Sequence, residues 1–346
     1  MSNNGKIRMS KKNIVSTVLT SLGEHGVRTT ARKVVQHVFR KKLRVPNKLN
    51  MVVVEITTYC NLKCSGCVRT IMTDEDTWSN KHMTVADFRK VVDALPPAML
   101  FVPQGIGEST MHPKITELIG IAKKSGKFDR IEINTNALVR AVDFYATLFD
   151  AGLSDLTVSV DTLDEKLIDK LRAETDIPKL EARLTEFSQR FPKRIGVRVT
   201  VSKGNVSRLP ELFKRLASLG RFNVWLQPFF DMGYGAGVLD RTEAQSLNDN
   251  AALWARDYPN LKITPEPFDP STEVCPSPWT SPAITVDGQL KPCCMILHQE
   301  KINFGNVLKV PFKDLWSTGE IEQFRESFVK KSPDCCARCP YYAFRN

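Results

Sequence analysis

The sequence predicts an α/β protein whose parallel sheet curls into a barrel or part of one. From residue 51 onward, short apolar runs typical of strands alternate with segments whose apolar residues recur at helical spacing. There are six such runs, and a helical segment follows each of the first five, which is the pattern of repeated β-α units. The nine cysteines fall into two groups, near residue 60 and within residues 275–346. The second group predicts a small cysteine-rich unit after the sheet.

The apolar runs and the segments between them set the expected order of elements. The predicted strands are residues 52–57, 99–104, 130–134, 155–160, 194–201 and 224–228, and the predicted helices are residues 85–95, 115–124, 141–149, 165–191 and 209–219. Six strands are fewer than the eight of a closed barrel. In barrels of this kind chemistry collects at the carboxyl ends of the strands, so we expect ligands there.

The net charge of +11 over 346 residues is concentrated at the N-terminus. Residues 1–50 hold twelve Lys or Arg and one acid, Glu24, while the rest of the chain is balanced. Apolar residues at helical spacing predict two short amphipathic helices, so residues 1–49 are interpreted as a basic helical arm. The arm is either a solvated leader or a docking element for an acidic partner, a carrier protein, nucleic acid or a phospholipid surface.

Composition also narrows the class of protein. No apolar run approaches the roughly eighteen residues of a membrane span, and the first thirty residues lack a compact apolar stretch with a cleavage site. We therefore expect a soluble, cytoplasmic protein without a membrane span. In such a chain, nine cysteines indicate cluster or metal ligands rather than a disulfide framework.

The stretch after the first predicted strand carries the strongest motif. Cys60, Cys64 and Cys67 lie within eight residues, on a loop that leaves the strand, and their thiolates can converge on one inorganic cluster. The spacing supplies three ligands and no fourth. A four-iron cluster held in this way keeps one iron open for a small molecule with an amino and a carboxylate group.

This CxxxCxxC motif, with Tyr59 beside it and Gly66 inside it, resembles the signature of the radical S-adenosylmethionine (radical SAM) superfamily. The resemblance implies an α/β fold with an open six-stranded partial (β/α)6 TIM-type barrel over residues 50–235. It also implies that a [4Fe–4S] cluster on the three cysteines binds SAM.

The resemblance assigns further residues to SAM at successive strand ends. Gly107 and Glu108 match the family's Gly-Gly-Glu motif, which holds the methionyl amino group, although Ile106 replaces one glycine. Asn134 and Asn136 are similar to its Thr-Asn turn, Ser159 and Asp161 to its Ser-x-Asp segment, and Arg172 to its arginine near the SAM carboxylate. Weaker candidates, each also consistent with a packing or turn role, are Arg198, Asn205, Gln227, Phe229, Phe230, Tyr234 and His112.

The tail carries a second ligand set. Cys275, Cys293, Cys336 and Cys339 bracket a predicted hairpin at residues 283–286 with the turn Asp287-Gly288, and they supply four ligands for one metal or cluster. Their spacing resembles the SPASM domain, which implies one auxiliary [4Fe–4S] cluster in residues 270–346, after a linker or helical connection at residues 236–269. A four-cysteine zinc site is the alternative.

Two cysteines of the tail are surplus to this ligand set. Cys294 and Cys335 each adjoin a proposed ligand, so the assignment within either pair depends on one position. They are interpreted as spare buried thiols, or one of them lies near the substrate and donates a hydrogen atom to a carbon radical.

The resemblance implies an oxygen-sensitive enzyme that reductively cleaves SAM and abstracts hydrogen from an unactivated carbon. The expected substrate is a small natural-product intermediate such as a sugar, aminocyclitol or nucleoside, with dehydrogenation, epimerisation or rearrangement as the outcome. A reductase such as flavodoxin or ferredoxin is the expected electron donor. The alternatives are oxidation or cross-linking of a peptide, including sulfatase-maturation-like chemistry, and a non-catalytic iron-sulfur or zinc protein that binds nucleic acid.

Overall fold

The structure is a computed structural model that describes residues 44–230, 237–265, 275–330, 333–336 and 339. The two helices predicted in the basic arm, and Tyr234, lie outside these residues. None of the described helices is both long and apolar enough to cross a membrane.

One nine-stranded sheet organises the described residues, with strand order β7-β6-β5-β4-β3-β2-β1-β8-β9. Neighbouring strands from β7 through β1 to β8 run parallel, and β9 is antiparallel to β8. The strands are β1 Leu49–Val54, β2 Ala98–Val102, β3 Phe128–Thr135, β4 Asp155–Ser159, β5 Ile195–Val201, β6 Phe222–Pro228, β7 Leu261–Pro265, β8 Ala283–Ile284 and β9 Leu290–Lys291. The sheet is not closed, which confirms the predicted partial barrel.

The six predicted strands correspond to β1 through β6, and the sheet extends beyond them at both ends. Residues 261–265, predicted to belong to a linker, instead form β7, which pairs with β6 from Leu261 to Pro265. Only Leu261 and Ile263 of this edge strand are buried, so its apolar pattern is too short to stand out. At the other end, β8 pairs with β1 through Val53 and Val54.

Helices connect the strands and cover the outer face of the sheet. They are α1 Val68–Asp74, α2 Val85–Ala94, α3 Ile115–Lys124, α4 Val142–Ala151, α5 Glu165–Leu171, α6 Ile177–Arg190, α7 Leu209–Leu219, α8 Arg241–Asp257, α9 Ser277–Thr280, α10 Phe312–Leu315 and α11 Gly319–Lys330. Their buried faces join the sheet in one large core, in which Phe101 of β2 stacks on Phe128 of β3 at 4.3 Å between ring centroids.

The single long helix predicted over residues 165–191 is two helices, which corrects the sequence analysis. The chain leaves α5 at Arg172, and Glu174 adopts a positive φ of 70° that interrupts the helix. Asp176 then caps α6 by accepting a hydrogen bond from the Lys179 amide at 2.9 Å, and Pro178 lies in the first turn. The interruption brings Arg172 to the carboxyl edge of the sheet.

A second, smaller apolar cluster lies on the opposite face of β1 and β2. Val53 and Val102 pack there against Ala283 and Leu297 from the tail, with Ile106 and Cys294 at the margin. The tail therefore packs directly on the sheet.

Candidate active site

A cavity of about 580 Å³ opens at the carboxyl edge of the sheet. Its size lies within the range of roughly 300–1,000 Å³ that is typical of ligand sites. The residues that line it include all three cysteines of the first motif and every residue that the resemblance assigns to SAM: Cys60, Cys64, Cys67, Gly107, Glu108, Asn134, Asn136, Ser159, Asp161 and Arg172. Thr200 of β5 and Phe229 after β6 also line the cavity, so residues from the ends of six strands, β1 to β6, meet around one space.

The cysteine loop leaves β1 and runs into α1, whose N-cap is Cys67. The Cys67 amide donates to the Cys64 carbonyl at 3.1 Å, so a tight turn holds these two residues together. Burial raises the pKa of the Cys60 thiol, and it raises that of Cys64 to about 11. Burial thus makes the thiolate forms of Cys60 and Cys64 costly. Iron, when bound, would offset this cost because it ligates the thiolate.

Glu108 is buried, and its carboxylate joins three segments of the site. Oε1 accepts hydrogen bonds from the Thr110 amide at 3.1 Å, the Thr110 hydroxyl at 2.6 Å and the Thr135 hydroxyl at 2.7 Å, and Oε2 accepts from the Asn136 amide at 2.7 Å. Its own amide donates to the Tyr59 carbonyl at 2.8 Å. Glu108 therefore fixes the end of β3 and the start of the cysteine loop.

The two asparagines after β3 have different surroundings. Asn136 donates from Nδ2 to Asn61 Oδ1 at 2.8 Å, and its Oδ1 accepts from the Leu138 amide at 2.9 Å, so its amide group is used in holding the cysteine loop. Asn134 Oδ1 is buried beside the cavity without a hydrogen-bond partner. A buried acceptor of this kind needs a donor, such as a ligand hydroxyl or ammonium group.

Asp161 and Arg172 form an ion pair at 3.2 Å in the cavity wall, with side chains only 11% and 13% exposed. Asp161 also accepts from the Thr200 amide at 2.7 Å. The guanidinium group lies close enough to Cys64 to oppose the effect of burial on its pKa. Arg172 therefore places a positive charge beside the proposed cluster ligands.

The residues around Arg172 also hold the cysteine loop. Ser65 Oγ donates to the Lys170 carbonyl at 2.5 Å, the Lys63 amide donates to the Ala173 carbonyl at 3.4 Å, and Lys63 Nζ lies 3.2 Å from Glu174 Oε1. The interruption between α5 and α6 thus packs on the loop that carries the cysteines.

Close packing explains the glycines of the site. A Cβ on Gly107 would lie 2.4 Å from the Thr57 carbonyl oxygen, and a Cβ on Gly66 would lie 2.7 Å from the ring of Phe229. Phe229 follows β6 and lines the cavity. The absence of a side chain at residue 66 therefore lets an aromatic ring lie against the cysteine loop.

Four other weaker candidates, Arg198, Gln227, His112 and Asn205, do not line the cavity and make structural hydrogen bonds. Arg198 and Gln227 are joined by a hydrogen bond of 3.3 Å. His112 Nε2 lies 2.9 Å from the Met83 carbonyl oxygen, and its Nδ1 accepts from the Lys114 amide, so it closes a turn. Asn205 donates to the carbonyls of Asp161 and Thr200, both at 2.9 Å.

The thiols of the second ligand set lie near one another. Burial raises the pKa of the Cys293 thiol, and the nearby Cys275 and Cys339 add to the increase. The pKa of Cys336 is raised by its contact with Cys335, at 3.8 Å between sulfurs, and by burial, and Cys339 contributes as well. Four thiols from the hairpin and the terminal motif therefore share one neighbourhood.

The donor set of the tail fits a cluster, because each iron of a cluster takes its own thiolate. Among the described residues, no three His, Cys, Asp or Glu side chains meet closely enough to hold a single metal ion. In the first motif, three cysteines beside a cavity with a buried, unsatisfied acceptor fit a cluster with a ligand next to it.

Two family models match the chain. The model of the radical SAM superfamily matches residues 54–216, and that of an iron-sulfur cluster-binding domain, SPASM, matches residues 275–340. The chain belongs to the radical SAM superfamily. As a radical SAM protein with a C-terminal SPASM domain, it is an enzyme that uses SAM and a [4Fe–4S] cluster at each of its two sites.

Relatives of this radical SAM enzyme align over most of its length. It is 28% identical over 317 residues to the tungsten-containing aldehyde ferredoxin oxidoreductase cofactor-modifying protein of Pyrococcus furiosus, which covers 81% of this chain and 85% of that protein. It is 29% identical over 337 residues to the Fe-coproporphyrin III synthase of Methanosarcina barkeri, covering 85% and 82%. The crystal structure of Streptococcus suis SuiB bound to S-adenosylmethionine shares the fold, with a TM-score of 0.65, 15% identity and coverage of 99% and 77%.

Two residues that shape the site were not among the sequence-based candidates. Asn61 holds Asn136, and Glu55 accepts hydrogen bonds from two separate loops. An isolated glutamate within an apolar strand is the one signal that was visible in the sequence, because a carboxylate in such a position requires buried partners.

Proposed function

We propose that this radical SAM enzyme abstracts a hydrogen atom from an unactivated carbon of a small molecule, an intermediate of natural-product or cofactor biosynthesis. The observation that carries the proposal is the convergence of Cys60, Cys64 and Cys67, which follow β1, with the ends of β2 to β6 on one cavity of about 580 Å³. When bound, the cluster and SAM supply a one-electron reduction of the sulfonium and the hydrogen-abstracting radical that results.

The residues of the chain position the cofactor and exclude water. Glu108 and Asn136 fix the cysteine loop, and the unsatisfied Asn134 Oδ1 accepts from a donor on SAM. Arg172, oriented by Asp161, provides a cation for the methionyl carboxylate. Phe229 shields the space beside Gly66 from solvent.

The relatives favour a small molecule as the substrate. Two relatives that align over more than four fifths of both chains are named for a cofactor modification and for the synthesis of Fe-coproporphyrin. We extend that class, and not either individual reaction, to this enzyme. Dehydrogenation, epimerisation and rearrangement all begin with the same hydrogen abstraction.

The same proposal includes the electron donor and the location. A one-electron reductase such as flavodoxin or ferredoxin in the cytoplasm supplies the electron. The basic residues 1–49 contribute a docking element for an acidic partner or carrier.

Anaerobic reconstitution tests the proposal. We expect about eight irons per chain, in two four-iron clusters, and 5′-deoxyadenosine formed from SAM after dithionite reduction. Cys64→Ala should remove about four irons and abolish 5′-deoxyadenosine formation. The reconstituted wild-type protein without dithionite is the control for non-reductive breakdown of SAM. A reduced, fully loaded enzyme that leaves SAM intact, with or without candidate substrates, would contradict the radical mechanism.

The substrate class is tested by isotope transfer. Deuterated tetrapyrroles, nucleosides and sugars, and in parallel deuterated peptides, are each incubated with the reduced enzyme and SAM. Mass spectrometry should find deuterium in 5′-deoxyadenosine with a small molecule. Transfer from peptides alone would assign the enzyme to peptide modification instead.

A further inference from the structure

Glu55 is a buried carboxylate in an otherwise apolar segment. It follows β1 directly, its amide donates to the Ile284 carbonyl of β8 at 2.8 Å, and it is 4% exposed. Burial raises its pKa. A carboxylate is costly to bury unless its oxygens are hydrogen-bonded, so its partners identify its role.

The two carboxylate oxygens of Glu55 bind backbone amides from different parts of the molecule. Oε1 accepts from the Ile106 amide at 3.0 Å, and Oε2 accepts from the Val286 amide at 3.1 Å. Ile106 lies in the cavity wall, two residues before Glu108. Val286 lies two residues after β8, in the hairpin that leads to Cys293. One side chain thus joins the loop at the SAM site to the SPASM hairpin.

The neighbouring residues are arranged to keep this carboxylate in place. A Cβ on Gly105 would lie 2.2 Å from Glu55 Cγ, so the glycine provides the room that Glu55 needs. Lys291 of β9 is 3% exposed and interacts electrostatically with Glu55. Its ammonium group is held by the carbonyls of Gln299 at 2.7 Å and Ile302 at 2.6 Å.

We propose that Glu55 is a positioning residue that couples the SPASM hairpin to the SAM-binding loop. A shift of the hairpin breaks the bond to Val286 or pulls the carboxylate away from Ile106, and either change disturbs residues 105–108 at the cavity. The auxiliary cluster thereby influences SAM binding through one side chain. This proposal rests on the proposed function, because it takes residues 105–108 to contact SAM.

Glu55→Gln tests the role while keeping the side chain's volume. The glutamine side chain keeps one oxygen as an acceptor, but its NH2 group faces the second backbone N–H. One of the two hydrogen bonds, from Ile106 or from Val286, is therefore lost. In anaerobically reconstituted protein we expect SAM to bind about tenfold more weakly, as for a lost hydrogen bond to a charged group. Faster hydrogen exchange at Ile106 or Val286 should accompany the loss, with iron content unchanged.

Two further variants separate this role from general destabilisation. Glu132→Gln alters a partly buried carboxylate that accepts a hydrogen bond from the Thr157 hydroxyl within the sheet, and it should leave SAM affinity and exchange at Ile106 and Val286 unchanged. Gly105→Ala displaces Glu55 without changing it and should reproduce the effect of Glu55→Gln. Unchanged SAM affinity and amide exchange in both Glu55→Gln and Gly105→Ala would overturn the proposal.

A double-mutant cycle tests the coupling itself. Cys339→Ala, which removes a proposed ligand of the auxiliary cluster, should weaken SAM binding in the wild-type background. In the Glu55→Gln background it should add little further effect, whereas full additivity would overturn the coupling. These experiments measure SAM affinity and amide hydrogen exchange, which do not require SAM cleavage. Failure of the reduced enzyme to cleave SAM would therefore refute the proposed function and leave the test of Glu55 valid.

Discussion

At the scale of single residues, Glu108 shows how a proposed ligand contact and a structural role combine. Its carboxylate accepts four hydrogen bonds from Thr110, Thr135 and Asn136. In the proposed contact, SAM would meet a carboxylate whose position is already fixed, and this preorganisation would reduce the cost of ordering the site on binding.

Glu108→Gln should lower the free energy of unfolding by about 2 kcal/mol, because the new NH2 group faces donors and leaves at least one of them unsatisfied. Urea denaturation of the iron-free protein measures the change. Glu117→Gln, at an exposed position in the first turn of α3, should have little effect. Equal stability of the two variants would show that the Glu108 network contributes nothing.

The adjacent cysteine pairs of the tail differ in their surroundings. Cys293 lies near Cys275 and Cys339, whereas Cys294, like Ile106, packs at the margin of the apolar cluster around Val53 and Val102. These contacts support Cys293 as the ligand and leave Cys294 on the side of the SAM-binding loop. Cys335 contacts Cys336 at 3.8 Å between sulfurs.

Cys294→Ala and Cys335→Ala should each retain about eight irons per chain after reconstitution, because neither removes a proposed ligand. Iron and sulfide analysis measures this, with Cys293→Ala and Cys336→Ala as the matched variants that should lose the auxiliary cluster. Loss of that cluster in Cys294→Ala or Cys335→Ala would shift the ligand assignment by one residue.

At the scale of elements, the interruption between α5 and α6 builds one wall of the site. Arg172 leaves α5 to pair with Asp161 after β4, while Lys170 and Ala173 bind the cysteine loop through their carbonyls. A continuous helix would have used these carbonyls internally. The loss of helical hydrogen bonds is therefore offset by contacts that hold the loop of the proposed cluster ligands.

Asp161→Asn should destabilise the iron-free protein by about 3 kcal/mol, since it leaves a buried guanidinium without its counter-charge. Urea denaturation provides the measurement. Replacing both partners, as in Asp161→Asn with Arg172→Met, should recover part of the loss. Asp143→Asn removes an exposed partner of Arg190 and should have little effect; a similar loss in this control would argue against a special role for the buried pair.

At the scale of the whole molecule, the tail completes the sheet. Without β8, the edge of β1 would present unpaired backbone groups next to the apolar side chains of Val53 and Val102. Exposed apolar edge strands favour association between chains. The auxiliary-cluster unit and the barrel therefore depend on each other structurally.

A chain that ends at residue 274 should form soluble oligomers or aggregates, because it exposes the β1 edge. Size-exclusion chromatography with light scattering would detect this. A chain that ends at residue 330 keeps the hairpin and should elute with the same number of subunits as the full-length protein. If the chain that ends at residue 274 also eluted with the same number of subunits as the full-length protein, the hairpin would not be protecting the β1 edge.

The fold class, strands β1 to β6 and the family could be predicted from the sequence, because they depend on local patterns: apolar periodicity and the spacing of cysteines. Tertiary structure alone decided which groups meet. Two local features, the helix interruption at Arg172 and the edge strand β7, lie in patterns too short to recognise. Two contacts, that of Asn61 with Asn136 and the bridge made by Glu55, join residues that are distant in the chain. Such contacts are set by the packing of whole elements, which no single stretch of sequence encodes.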